Sequence, residues 1–372
     1  MLKSFALVNY RTFSQLTVSG LGAVNLIVGR NGVGKTTLLE GVRLYASAFP
    51  PMTAQRILQE RDEVVGKPDE VSQLLLRSFF HGRGGAADAR FALGPQPSPD
   101  SPENLLVDAL FEQAGQQQHD PSKGPQGPFL REAGLVLRFK IDSLEEKLFS
   151  TGTTPYARLV PVNTLETDSG PPLLGRSNRF AADVQTAYRW DRISLTDGAS
   201  RVIEALRAVA PVEGTAFVEG PHGRVHRIAK VRLADMSEPI PLAVLGDGAV
   251  RMFEIAVAME YVASYAKALA EGTSPPNVFP VLLIDEVEIG IHYSLHADLW
   301  RFILRTAGER GVQVFATTHS WDCIQGFQEA AASMPECEGV LIRLEAGRGK
   351  HRANTFSGNE LAIVARDQIE VR

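Results

Sequence analysis

The 372-residue chain is 44% hydrophobic and 22% charged, with 38 Lys and Arg against 43 Asp and Glu. That balance fits a globular protein with its own core, as one large domain or two modest ones, and excludes a disordered chain or a small disulfide-stapled module. A formal net charge of −5 also excludes nucleic-acid binding through bulk charge, so any such contact needs a local patch.

In chain order, residues 2–8 and 24–28 read as short strands joined through Ser19-Gly20-Leu21-Gly22, and a helical pattern begins near Lys35. Residues 93–128 carry seven prolines and the run Gln116-Gln117-Gln118, so this stretch is expected to be an exposed insertion without long regular elements. Apolar alternation predicts strands over 135–141 and 224–233, with a helix around 200–209 between them. After Pro241 the pattern predicts a helix over 248–270, a buried strand over 281–284, a helix over 295–306 and a strand over 312–316. Such alternation describes a parallel sheet covered by helices. There is no internal repeat and no sustained heptad pattern. Cys323 and Cys337 form no metal-ligand cluster and read as reduced thiols. The opening MLKSFALVNY forms no signal-peptide core. No apolar run approaches the roughly 20 residues that span a bilayer, so a cytoplasmic protein is expected.

The chemistry-bearing segment comes early. Gly29-Arg30-Asn31-Gly32-Val33-Gly34-Lys35-Thr36 follows a predicted strand, precedes a predicted helix and matches G-x-x-x-x-G-K-[ST], the P-loop. Its glycines let backbone N–H groups turn toward phosphate oxygens, the helix start adds positive potential, Lys35 reaches the β- and γ-phosphates and Thr36 offers a hydroxyl to Mg²⁺. Thr37 follows in the same turn. The strand at 281–284 ends in Asp285-Glu286, the form of a Walker B element, with Asp285 toward the metal and Glu286 placed to polarise water. Thr317-Thr318-His319-Ser320 ends the next strand and is expected on the same sheet edge, where His319 can touch a γ-phosphate. Leu245-Gly246-Asp247-Gly248 precedes a helix, so its N–H groups can meet an anion or simply cap the helix.

The wide separation of Lys35 and Asp285, and the order P-loop, Gly-Asp-Gly turn, Walker B, histidine, resemble the ABC-type ATPases and most closely their RecF-like and OLD-like branch. The resemblance rests on Phe5 to Phe13, on Val24-Asn25-Leu26-Ile27-Val28 with the P-loop and Thr37-Leu38-Leu39-Glu40, and on the Leu-Gly-Asp-Gly turn. It rests further on Asp285-Glu286-Val287-Glu288-Ile289-Gly290-Ile291-His292 and on Ala316-Thr317-Thr318-His319-Ser320. It implies an α/β P-loop NTPase of ABC/RecF-like type, a mixed sheet flanked by helices with an inserted α+β lobe. Residues 1–80 and 235–372 would form the ATPase core, and 81–234 an inserted partner or lid region. The ligand would be Mg²⁺-ATP. Two copies would close head to tail, each P-loop meeting the other copy's turn at Gly246, Asp247 and Gly248. Gly246 stands where that family's transporters carry a serine and Asp247 adds a negative charge, so Arg251 is a candidate to assist the trans contact. Arg11 stands where such ATPases approach the base or ribose, and Gln73 is a Q-loop candidate by location.

The basic run Arg224, His226, Arg227, Lys230 and Arg232 is a solvated face or a phosphate-contacting stripe. His292 and His296 are spaced i,i+4 but lack the Glu of a zinc protease motif. The expected function is an ATP-hydrolysing switch in DNA maintenance or defence against foreign DNA, without membrane contact. No Asp-x-Asp pair for a fused Toprim nuclease occurs, so a nuclease or toxin-like effector would be a separate chain. Competing readings are an ATP-binding regulatory module with slow turnover, or a transporter's nucleotide-binding subunit. The second lacks its usual glycine-rich signature.

Overall fold

The computed structural model describes residues 1–47, 50–65, 73–74, 76–83, 89–112, 134–141, 144–149, 173–174, 179–220, 223–270, 280–347, 349–358 and 360. The chain opens with β1 (Ser4–Tyr10), β2 (Phe13–Ser19), β3 (Val24–Val28), α1 (Lys35–Tyr45) and α2 (Pro50–Glu60), followed by the two-residue strands β4 (Val64–Val65) and β5 (Gln73–Leu74). Next come β6 (Arg90–Gly94), β7 (Leu105–Glu112), β8 (Gly134–Ile141), β9 (Leu144–Phe149), β10 (Leu173–Leu174), α3 (Arg179–Ile193), α4 (Asp197–Leu206), β11 (Val212–Gly220), β12 (Gly223–Leu233) and β13 (Ile240–Pro241). The C-terminal part holds α5 (Asp247–Ala270), β14 (Val281–Ile284), α6 (His296–Arg310), β15 (Gln313–Thr317), α7 (Trp321–Ser333), β16 (Gly339–Gly347) and β17 (Lys350–Ser357).

The central sheet has the order β10-β14-β15-β3-β16-β17, parallel except for the β16–β17 hairpin. Its strands β3, β14 and β15 are buried on both faces, as a doubly covered sheet requires. Leu26, Leu282, Ile284, Val314, Ala316 and Leu341 point into one core, shared with α3 to α7. Ile27, Val281, Leu283, Phe315, Val340 and Ile342 point into the other, with α1 and α2. Much of the long helix α5 is buried, including Met252, Phe253 and every residue from Ile255 to Ala263, which explains why its sequence is apolar nearly all round.

Beyond α1 lies a second sheet, antiparallel, in the order β2-β1-β6-β7-β8-β9. It corrects two expectations. Residues 90–94 and 105–112 lie within or beside the stretch predicted to lack long elements, yet Phe91, Leu93, Leu105, Val107 and Ala109 are buried strand residues. Four of the prolines, Pro95, Pro97, Pro99 and Pro102, sit in the link between the two strands, which Asn104 ties together by donating to the carbonyls of Gln96 and Ser98. Residues 113–128 lie outside the described residues. The second correction concerns the boundary drawn at 80/81, which would cut this sheet, because β6 pairs directly with β1. Likewise α3 and α4 pack with α5 in a common core. The hairpin β1–β2 also replaces the single early strand expected from the sequence, its turn made by Tyr10 to Phe13 with Asn9 and Arg11 in the left-handed region at φ 55° and 48°.

Gln313 locks the chain's start onto the central sheet. Its side-chain oxygen accepts from Leu2 N at 2.8 Å, and its amide donates to Leu2 O at 2.8 Å and Gly22 O at 2.9 Å, all in the interior. Gln313→Leu keeps the volume and removes every one of these bonds. A buried polar group without a partner costs about 1–3 kcal/mol, so the variant is expected to unfold at lower urea concentration, by about 2–3 kcal/mol, with its nucleotide site unchanged. An unchanged midpoint would show that the latch contributes nothing.

Among the described residues no helix is long and apolar enough to cross a membrane.

Candidate phosphate and magnesium site

The loop at residues 29–36 leaves the end of β3 and turns into α1. Gly34 precedes the helix with φ 105°, and a Cβ there would collide with the buried Phe13 ring. Only glycine meets both conditions. Val33 is buried and anchors the loop, while Arg30, Asn31 and Gly32 are exposed or nearly so at its rim. Thr37 is buried under the turn. The Lys35 ammonium lies inside the loop and donates to Gly29 O at 2.7 Å and Arg30 O at 3.1 Å. Burial holds it below its ordinary range, against the upward pull of Asp285, Glu286 and Glu288. A charge held in this way is available to a polyanion.

Asp285 follows β14 and its carboxylate receives hydroxyls from two strands away and from next door. Thr36 Oγ1 donates to Oδ2 at 3.0 Å, and Thr317 Oγ1 donates to Oδ1 at 2.5 Å. The Thr36 hydroxyl and the Asp285 carboxylate are paired hard oxygen donors of the kind that hold Mg²⁺ beside a nucleotide, so the residues present fit that ion. The Thr317 hydroxyl also accepts from Glu286 N at 2.8 Å. That bond fixes Glu286 in the left-handed region, φ 50°, a conformation a glutamate adopts only when its surroundings impose it. Sequence reasoning placed Thr317 in the motif without giving it this role. The only signal was a hydroxyl ending the strand next to Walker B.

His319 is exposed at the end of β15 and lines a cleft of about 250 Å³ with Val28, Gly29, Arg30, Asn31, Thr318 and Ile324. The structure therefore brings Lys35, Thr36, Asp285, Glu286 and His319 to one edge of the sheet. Loop, strand order and carboxylates together make an ABC-like P-loop NTPase fold, α/β with helices on both faces.

Other candidates stand elsewhere. Gly246 (φ 91°) and Asp247 lie at the exposed start of α5, and Val244 just before them is 67% exposed. Gly248 packs on the loop after Walker B, where an added Cβ would come within 3.1 Å of Gly290 O. Arg251 corrects the expectation of a trans contact. It is buried, its Nη2 donates to Asp285 O at 3.3 Å within the same chain, and Nη1 pairs with Glu254.

Arg11 is likewise committed, in a buried ion cluster with Glu40 (3.3 Å) and Glu63 (2.9 Å), its guanidinium over the Phe79 ring. Desolvating an arginine is costly unless acids compensate, and here two do, so its guanidinium is held within the fold. Gln73 has its backbone in β5, but its side chain lies outside the described residues. In the basic run, Arg227 makes two bonds to Asp191 and Arg232 pairs with Glu213, while the Arg224 and His226 side chains lie outside the described residues. His296 is buried, whereas His292 is exposed beside Ser294. Among the described residues no group of three His, Cys, Asp or Glu could hold a metal ion.

The chain is similar to several known proteins. Residues 138–322 match the family described as "AAA domain, putative AbiEii toxin, Type IV TA system". That span includes the turn at 245–248, Asp285, Glu286 and His319, but not the loop at 29–36. An "ATP/GTP phosphatase" of Helicobacter pylori (strain ATCC 700392 / 26695) is 21% identical over 355 residues, covering 87% of each chain. Among solved structures, an SMC head bound to the C-winged helix domain of ScpA covers 96% of this chain and 98% of its own at 9% identity, with TM-score 0.49. An SMC head with an extended coiled coil, bound to the C-terminal domain of ScpA derived from Pyrococcus furiosus, covers 99% of both chains at 9% identity, with TM-score 0.49.

Proposed function

We propose that this P-loop ATPase is a cytoplasmic Mg²⁺-ATP switch of the RecF-like or OLD-like kind, which closes as a head-to-tail dimer on ATP and opens after hydrolysis. The observation that carries the hydrolytic reading is the Thr36–Asp285 bond of 3.0 Å, with Glu286 fixed by the Thr317 hydroxyl beside it. Gly29 to Thr37 would wrap the triphosphate, Lys35 would neutralise its β- and γ-oxygens, and Thr36 and Asp285 would hold the ion. When bound, Mg²⁺ offsets phosphate charge and orients the terminal group. Glu286 would accept the proton of the attacking water as its oxygen bonds to the γ-phosphorus. The bond from that phosphorus to the bridging oxygen then breaks, giving ADP and phosphate. His319, across the cleft, would hydrogen-bond the departing phosphoryl oxygens.

The exposed start of α5 supports the dimer. Gly246, Asp247 and Gly248 stand at a helix N-terminus near the surface, where backbone N–H groups are open to a phosphate carried by a second copy. We place the switch in DNA maintenance or defence, with a separate nuclease or toxin-like effector chain. A DNA contact has weaker support, since Arg227 and Arg232 of the basic strand pair with acids. Asp247 favours one second reading, an ATP-binding module with slow turnover, because an acid at that helix start repels a trans phosphate.

Wild-type protein is expected to release phosphate from Mg²⁺-ATP, to stop when EDTA removes the ion, and to double its light-scattering mass with nucleotide under slow-turnover conditions. Binding without release would favour the regulatory module, and release from a constant monomer would overturn the dimer.

A further inference from the structure

We infer that Glu288 is a positioning residue that sets His319 over the phosphate cleft, an inference that rests on the hydrolytic reading above. The two residues sit on different elements, in the loop after β14 and at the end of β15, yet the His319 backbone N–H donates to Glu288 Oε1 at 2.8 Å.

Around His319 the other ties are made differently. Val287 N donates to Thr317 O at 3.0 Å and Thr318 N to Ile27 O at 3.2 Å, both backbone to backbone. Ser320 N donates to the Thr318 hydroxyl at 3.0 Å, and the Ser320 hydroxyl caps α7 by accepting from Cys323 N at 3.3 Å. These bonds secure the residues on either side of His319. At His319 itself the restraint is the Glu288 carboxylate, reaching over from the Walker B loop.

The other carboxylate oxygen shows that this arrangement is not simply the most comfortable one. Glu288 Oε2 is buried and has no hydrogen-bond partner among the described residues. A charged oxygen left in that state is costly, and in native proteins such groups call for a functional reason. Glu288 also adjoins the nucleotide site, since its charge acts on Lys35 along with those of Asp285 and Glu286. An apolar residue would remove the unpartnered oxygen but free the His319 amide.

Holding and mere folding can be told apart by three variants. Glu288→Ala removes the acceptor and is expected to lower kcat by about 10- to 100-fold, the range for a group displaced by about 1 Å, with KM for Mg²⁺-ATP within about threefold. Glu288→Gln keeps an acceptor oxygen at the same place and is expected to recover most of that loss. The double variant Glu288→Ala with His319→Ala is expected to be no slower than His319→Ala alone, because the two residues then act in series.

Amide hydrogen exchange across residues 317–320 supplies a readout that needs no turnover. Glu288→Ala is expected to speed exchange at His319, and Glu288→Gln to restore protection. Unchanged exchange in Glu288→Ala, or losses that multiply in the double variant, would overturn the inference. Absence of wild-type phosphate release would instead overturn the hydrolytic reading and leave the exchange result to decide the tether.

Discussion

Lys35→Ala is expected to weaken Mg²⁺-ATP binding by at least about a hundredfold, to the point where calorimetry registers no saturable heat. The ammonium is already inside the loop, on Gly29 O and Arg30 O, so little ordering is needed for it to meet phosphate. Around it stand Asp285, Glu286 and Glu288. Without the lysine, a triphosphate would enter a site in which these three acids have lost the ammonium they act on. Removing one partner of a desolvated charge pair costs about 2–5 kcal/mol, and here the remaining charges repel the ligand. Lys35→Arg would not rescue binding, because a planar guanidinium cannot occupy the small space between the two carbonyls. Calorimetric affinity close to wild type in Lys35→Ala would mean that the loop does not hold phosphate.

Glu286→Gln is expected to do the opposite to binding and at least as much to turnover. The amide has the same shape, and its backbone N–H keeps its bond to the Thr317 hydroxyl at 2.8 Å, so the site should assemble and hold Mg²⁺-ATP. What is lost is a base able to take a proton from water, and general-base catalysis is worth about 10²- to 10⁴-fold. The variant should therefore accumulate as an ATP-bound dimer, seen as a doubled mass in light scattering that persists far longer than in the wild type. A Glu286→Gln protein that stays monomeric with saturating Mg²⁺-ATP would count against closure on nucleotide. Turnover equal to the wild type would mean that another group is the base.

These two residues are legible in the sequence because each belongs to a contiguous motif whose spacing reflects the chemistry. Gly29 to Thr36 needs glycines at fixed offsets, and Asp285-Glu286 needs an apolar strand before it. The same holds for the parallel half of the fold, where both faces of β3, β14 and β15 are buried and the apolar runs are continuous. The antiparallel sheet is hidden for the opposite reason. β2 reads Phe-Ser-Gln-Leu-Thr-Val-Ser with three exposed positions, and β6 and β7 lie among prolines that actually occupy the connection. Arg11 and Arg251 defeat sequence reasoning because a lone arginine carries no sign of the acid or carbonyl it will meet. Glu40 and Glu63 reach Arg11 from other elements, and Asp285 O reaches Arg251 across 34 positions. Thr317 and Glu288 are visible as motif members, but their partners lie 31 or more residues away, and no local rule supplies such pairings.

In the central sheet, the strand bearing Asp285 and the strand leading to Thr36 are not neighbours; β15 runs between them. The bond joining those two oxygens therefore passes over the tip of an intervening strand, and Thr317 is the keystone of that span. Any sliding of one flank against the other, whatever drives it, must be felt first at this tip, two residues from His319. A mute-looking threonine in the middle of the sheet is thus the place where a substitution could uncouple gripping from cleaving while leaving both outer motifs intact.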